Sequence, residues 1–452
     1  MSQFGLRQLP LAIAIAAMAS QVNAAGFAVN EHSAAGLGRS NAGEAAMADD
    51  ASVIAHNPAA MTLLKRPTVS GMIAYVSPDV NVEGVSSDLN AMGIPNSYFD
   101  GNDVAPSQVV PGVYFVMPLT ERVSFGFGAY TDFGFKTDYA SSFGALGAAD
   151  TSDIVGKYLT GSLAFKPFDK LSVGVGISLI KLNAELSSAA DEQGVVSGGI
   201  NSKLIKGGLP PENIVAGDRV MQLEGDTTTV GWNVGALYEF NDSSRIGLSY
   251  KGEVKSTLEG EIESDIFTGK SVDIGPYPYE YLPNWNDKGE AELNLPAILE
   301  ASFYHAFSDQ IAVHASYTRT FWSSFDEIRI QMDGGQDDIV TPENWDDVNR
   351  YALGATYTIN DAWKLRVGYA QDETPSNDET RTLRLPDSDR SLYSIGATWQ
   401  VNDDLSIDAG YQYIKGEEAS IHDENQFTHG IHLAQKTTTE ADIFALQANY
   451  QF

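Results

Sequence analysis

The chain has 452 residues, 28 basic against 60 acidic side chains, a net charge of −32 and no cysteine. That acidity excludes a nucleic-acid binder, which needs cations to neutralise phosphate, and the lack of cysteine excludes disulfide frameworks and thiolate metal sites. The mean hydropathy of −0.17 excludes a helical membrane protein but not a membrane barrel, in which only every second residue meets lipid.

Arg7 precedes a short apolar run, Leu11 to Ala19, too short to span a bilayer as a helix. Val22-Asn23-Ala24 then places small residues where a signal peptidase reads. Residues 1–24 are expected to be a secretory signal peptide cut after Ala24; an N-terminal membrane anchor is the other reading. Residues 25–66 are rich in Ala, Gly, Ser and Asn and show no period of two. Glu44 to Ile54 suits a short helix, and Asn57-Pro58 reads as an N-cap followed by Pro at the first helical position. Small residues would let this segment pack tightly, and Val53, Ile54, Met61, Leu63 and Leu64 give it something to bury. It is expected to be a plug inside a lumen, with a disordered tail as the alternative.

Residues 67–452 alternate. Trp363, Leu365, Val367 and Tyr369 oppose Lys364, Arg366 and Gly368; Tyr351, Leu353, Ala355, Tyr357 and Ile359 repeat the pattern. So do Leu405, Ile407, Ala409, Tyr411 and Tyr413, and the closing Phe444, Leu446, Ala448, Tyr450 and Phe452. A soluble sandwich also alternates, but so many Tyr and Trp at strand ends fit the aromatic girdles of a transmembrane barrel. Tight turns at Pro118–Arg122, Pro167–Lys170, Asn241–Ser244, Ser308–Gln310, Asn360–Ala362 and Asn402–Leu405 alternate with long polar connections near 77–108, 136–153, 187–218, 257–287, 331–347, 373–387 and 420–436. Six turns and seven loops predict an all-β, antiparallel barrel of about fourteen strands in the outer membrane, both termini periplasmic. Closure removes sheet edges that lipid could not satisfy, and the acidic surface suits divalent cations beside anionic lipopolysaccharide.

Recognition adds to this reading. Ala25-Gly26-Phe27, Gly36-Leu37-Gly38-Arg39, Ala48-Asp49-Asp50-Ala51, Asn57-Pro58-Ala59, Leu293-Asn294-Leu295-Pro296 and Pro386-Asp387 resemble, in order, the landmarks of the FadL family. These are outer-membrane transporters of long-chain fatty acids, with a branch handling aromatic hydrocarbons. The resemblance implies a fourteen-stranded barrel with an N-terminal hatch, a monomer without cofactor or metal, and passive uptake. Ligand would be caught by outer loops, held at a tight apolar site near the hatch and released sideways where the third strand kinks. Residue by residue, it places Phe27 at the tight site, Asn57, Pro58 and Ala59 as a hatch motif, and the kink at Gly134 within Thr131-Asp132-Phe133-Gly134. Of two family cations near the tight site, one falls at Arg329 and the other at the neutral Asn183. Lys181 is the candidate substitute, although alternation from Val173, Val175, Ile177 and Leu179 turns it toward lipid. A buried carboxylate does need such a partner.

Apolar loop residues are candidates for outer capture: Ile205, Leu209, Ile214 and Val215 in the third loop, and Ile266, Phe267, Tyr277, Tyr279, Tyr281, Leu282 and Trp285 in the fourth. Self-packed loop cores are the alternative. Among rival functions, His314-Ala315-Ser316 has the spacing of a barrel lipid esterase, but no orienting acid is evident, and neither a Gly-x-Ser-x-Gly elbow nor a His-Glu-x-x-His motif occurs. His32, His56, His305, His422, His429 and His432 have no ligand spacing. A general porin is the second rival; it would lack an apolar plug.

Overall fold

The computed structural model describes residues 26–452 except 88–89, 91–92, 275–276, 336–337 and 424–432. The leader and its cleavage site lie outside the described residues.

The first six staves of the wall are β1 (Thr68–Ser87), β2 (Gln108–Thr120), β3 (Val123–Asp138), β4 (Thr151–Phe168), β5 (Leu171–Ala189) and β6 (Arg219–Asn241). The next four are each interrupted. β7 (Ser244–Lys251) continues as β8 (Thr257–Glu263), and a two-stranded hairpin, β9 (Thr268–Ile274) with β10 (Tyr277–Asn284), sits in the following loop. β11 (Asp287–Glu292) continues as β12 (Ile298–Ala306), β13 (Ile311–Thr320) as β14 (Glu327–Met332), and β15 (Ile339–Pro342) as β16 (Val348–Asn360). β17 (Trp363–Asp372), β18 (Arg390–Gln400), β19 (Leu405–Gly416) with β20 (Ala419–Asp423), and β21 (Leu433–Gln451) complete the round. β21 pairs with β1 from Thr68↔Gln451 to Ser87↔Leu433, closing fourteen antiparallel staves without a free edge.

Alternation sets the two faces. On β5, Val173, Val175, Ile177 and Leu179 are exposed, while Ser172, Ser178 and Ile180 face inward and are buried. The exposed side carries the lipid belt; Phe168, Phe240, Phe307, Trp363, Trp399 and Tyr450 ring it near the tight turns, where amphipathic aromatics favour the interface. The strands outrun the sequence expectation. β1 stays paired as far as Ser87, and β20 and the start of β21 occupy the expected seventh loop. Beyond the bilayer both strand faces meet water, so alternation fades while pairing continues.

The four interruptions lie at one level. Each turns apolar side chains into the lumen: Val254, Leu295, Trp322, Phe325 and Trp345 are at most 5% exposed. Pro296, which lacks an N–H for the ladder, sits in one break, and a 3-10 turn at Trp322–Ser324 fills another.

Residues 26–66 pack against the inner wall. The expected helix over Glu44 to Ile54 is instead a 3-10 turn at Glu44–Ala46 and a helix at Val53–His56, separated by the extended Met47. Close approach needs glycine on the wall: a Cβ at Gly396 would stand 2.8 Å from the Gly38 Cα, and one at Gly247 would collide with the Ala45 carbonyl. Buried ion pairs, Arg39 with Glu44 (2.7 Å) and with Asp49 (2.6 Å), tie the segment to itself.

Candidate functional site

The chain's described start threads to the level of the interruptions. The Gly26 N–H donates to the Asp387 carboxylate (2.9 Å). Phe27, wholly buried, is boxed by Trp322, Phe325, Trp345 and Phe133 at ring-centroid distances of 4.6, 5.6, 5.8 and 6.0 Å. The hatch motif lies deeper. Asn57 caps the 3-10 turn Pro58–Leu63, its side-chain oxygen accepting from the Ala59 N–H (3.0 Å). Its amide donates to the carbonyls of Ala45 (2.6 Å) and of Ala236 on β6 (3.1 Å). One side chain thus starts the turn and staples the segment to the wall.

The third strand parts from its neighbour. β3 pairs with β2 only up to Val113↔Ala129, and a bulge between Thr131 and Phe133 leaves Asp132 as the extra residue. Beyond it residues 27–29 take the place of β2. Ala28 bridges Phe133, the Gly134 N–H donates to the Phe27 carbonyl (2.8 Å), and the Val29 N–H to the Asp132 carbonyl (2.9 Å). The irregularity therefore falls at Asp132, two residues before Gly134, which itself pairs regularly with Val155. The buried Asp132 carboxylate accepts from Lys251 (2.7 and 2.8 Å) and lies 3.1 Å from the His32 ring nitrogen. Sequence reasoning fastened on glycine as the usual mark of a kink. The missed signal was a charged residue amid Tyr130, Phe133 and Phe135.

β6 orders the rest by depth. At its outer end, Val220 packs in a loop cluster with Val196, Ile200, Leu204, Ile266 and Leu282. Of the capture candidates, Leu282 is 3% exposed inside that cluster; Phe267 and Trp285 stack at 3.9 Å on its edge, and Ile205 and Val215 are exposed. The side chains of Tyr277, Tyr279 and Tyr281 lie outside the described residues. Below, Leu223 joins Ile154, Leu186, Leu258, Leu293 and Ile328 around a narrow apolar cavity of about 20 Å³. Further down, Gly231 and Asn233 border a second narrow cavity of about 20 Å³ with Tyr130, Asp132, Phe133 and Lys251. Gly235 then meets Asn57.

The two expected cations are not in this column. Strict alternation holds on β5, so Lys181 faces outward and pairs with Asp226. On β14, Ile328 and Ile330 point into the apolar core while Arg329 lies on the opposite face, bound by Glu327 (2.6 Å) and Asp338 (2.8 Å). Both corrections have one cause: neighbouring residues on a strand face opposite sides. Lys251 is a lumenal cation that the sequence reading passed over.

His314 and Ser316 are buried and lumenal, but His314 engages Thr356 (2.9 Å) while Ser316 engages Ser302 (2.7 Å) and the Gly43 N–H (2.7 Å). No His–Ser hydrogen bond forms among the described contacts, so the pair lacks an activated nucleophile. His56, on the N-terminal segment, lies between Glu44 (3.6 Å) and Glu300 (3.9 Å); burial, reinforced by His32, holds its imidazole down at about 3. No cluster of acids and histidines among the described residues suits a metal ion.

Family comparison matches residues 15–452 to the family described as outer membrane protein transport protein (OMPP1/FadL/TodX). The chain belongs to this family. Its FadL relatives include a long-chain fatty acid transport protein of Salmonella typhi, 32% identical over 443 residues and 98% of each chain. A solved Pseudomonas aeruginosa FadL homologue superposes with a TM-score of 0.80 at 25% identity, covering 95% of this chain and all of the other. The Ralstonia pickettii toluene transporter TbuX shares the fold, with a TM-score of 0.63 at 20% identity over 95% and 99% of the two chains. As a FadL-family member the chain is an outer-membrane β-barrel transport protein and not an enzyme.

Proposed function

We propose that this barrel takes up long-chain fatty acids passively across the outer membrane. The loop cluster around Phe267, Leu282 and Trp285 captures the ligand, and the apolar column beneath leads it to the Phe27 box. It then leaves sideways into the bilayer between β2 and β3, once the Phe27 strand withdraws. The parting of that seam, where residues 27–29 stand in for β2 against β3, is the observation that carries the reading. Each buried methylene contributes about 0.8 kcal/mol, so an apolar column holds an acyl chain without any energy source, and a lateral exit keeps the tail out of water. Residues 26–66 act as the hatch, and the barrel works as a monomer with both termini periplasmic. An aromatic hydrocarbon is the second reading, since the side chains around the cavity beneath the loop cluster are apolar.

The test is uptake of labelled oleate by cells lacking their own transporter, with the parent chain or Gly134→Arg, which puts a bulky charged residue where β3 bonds the Phe27 carbonyl. Uptake restored by the parent and lost in a folded variant is the expected result. A correctly inserted parent that restores nothing overturns the fatty-acid reading.

A further inference from the structure

The lumenal cations differ in their surroundings. Arg39, Arg350, Arg366 and Arg390 lie on the polar side of the lumen, each beside an aspartate of the plug or wall. Lys251 is set among aromatics. On β7 it shares the inward face with the buried Gly247 and Ser249, and its ammonium borders the lower cavity with Tyr130, Phe133 and Tyr158. That cavity lies at a second break in the wall. β6 pairs with β7 as far as Asn233↔Lys251 and with β8 only from Asp226↔Glu259, leaving Thr227 to Trp232 without a strand partner on that side. The outward indole of Trp232 lies over Gly252, where a Cβ would come within 2.5 Å of the ring, and so closes the break from outside.

Two polar groups at this cavity have bonding capacity to spare. An ammonium has three donors, and the described contacts of Lys251 are the two to Asp132. Asn233 is 4% exposed, and its side-chain oxygen has no hydrogen-bond partner among the described residues. A buried amide in that state is unusual and calls for a missing partner; turned about its last bond, the same amide presents a donor.

We propose that Lys251 is the carboxylate-recognising group of this barrel: an incoming long-chain carboxylate takes the ammonium from Asp132, with the Asn233 amide as second donor. The proposal rests on the fatty-acid reading above and assigns its head-group site. Exchange, rather than addition, follows from electrostatics. Two carboxylates beside one ammonium in a buried site leave an anion uncompensated, which is costly, so the ligand enters as the neutral acid and its proton passes to Asp132 as the new carboxylate takes the ammonium. Asp132 retains the His32 ring at 3.1 Å when Lys251 is taken. The first methylenes of the ligand then lie against Tyr130, Phe133 and Tyr158. A neutral alcohol or hydrocarbon cannot make this exchange, so the site selects acids. The exchange also occurs at the bulge residue whose carbonyl holds Val29, next to the seam.

The experiment is calorimetric binding of oleate and of oleyl alcohol to the purified barrel in non-ionic detergent. The parent should prefer oleate. Lys251→Met should weaken oleate about tenfold or more, as for loss of a charge-assisted contact, while the alcohol stays within about twofold; Lys251→Arg should keep the preference. Asp132→Asn removes the competitor and should tighten oleate alone, a result that a purely structural ion pair does not give. If the single Met variant fails to fold because Asp132 is left unpaired, Lys251→Met with Asp132→Asn removes that charge and should still lose the acid preference. An unchanged acid preference in folded Met variants overturns the proposal and leaves fatty-acid uptake standing. So does loss of the preference in Arg384→Gln instead, since Arg384 is another buried lumenal cation, bound to Ser152 and Ser188. A parent that binds neither ligand overturns the fatty-acid reading, and the proposal with it.

Discussion

Truncating Phe27 to alanine should unlatch residues 26–29 and leave the barrel intact. The ring is wholly buried and touches four others, the nearest at 4.6 Å. Removing a phenyl group from such a site costs about 3–5 kcal/mol. The breaks that carry Trp322 and Trp345 are pinned between paired strands on either side, so these rings cannot collapse far into the space. The neighbouring ties, from the Gly26 N–H to the Asp387 carboxylate and between the backbones of residues 27–29 and β3, do not involve the Phe27 side chain, so the substitution leaves them in place. The loss therefore appears as local opening of the strand rather than as global unfolding. It corresponds to an increase on the order of 10²–10³-fold in the open population. Hydrogen exchange read by mass spectrometry on peptides spanning 26–33 should accelerate by that factor, with peptides from β16 to β19 unchanged. Unchanged exchange at 26–33, or equal acceleration throughout the barrel, would refute the reasoning that Phe27 is the local latch.

Three further outcomes are expected. Gly396→Val places a branched side chain 2.8 Å from the Gly38 Cα; β18 is paired on both sides and does not yield, so the plug must shift, at about 1–3 kcal/mol. Planar-bilayer recording should then show more frequent open events than the parent, and an equally silent channel would count against the close fit. His56 is held neutral in the folded chain while the unfolded chain binds the proton, so stability falls as pH drops from about 6.5 toward 3; the thermal midpoint should fall over that window, less steeply in His56→Gln. Purified barrel should not hydrolyse a chromogenic ester, because His314 and Ser316 engage different partners; turnover abolished by Ser316→Ala would reverse that.

Much of the wall was legible because lipid imposes a rule on every second residue. The tight turns, the closing strand and the outward placement of Val173 to Leu179 follow from that rule, as does the outward Lys181 that alternation already implied. Outer loop boundaries were less legible, since above the bilayer both faces of a strand are polar. Arg329 was misplaced because a landmark carried from relatives specifies a position in the chain, not the face of a strand that bears it.

The amino-acid sequence alone determined that this chain forms a membrane barrel of about fourteen strands with a small-residue N-terminal segment, because period two, turn chemistry and closure are local or counted properties. Only the tertiary structure decided where the apolar site lies and which charge attends it. Phe27 meets Trp322 and Trp345, and Asp132 meets Lys251 and His32, across separations of a hundred residues or more in most cases. Such meetings depend on strand register and on breaks in four successive staves at one depth, and no local pattern in the chain encodes that depth.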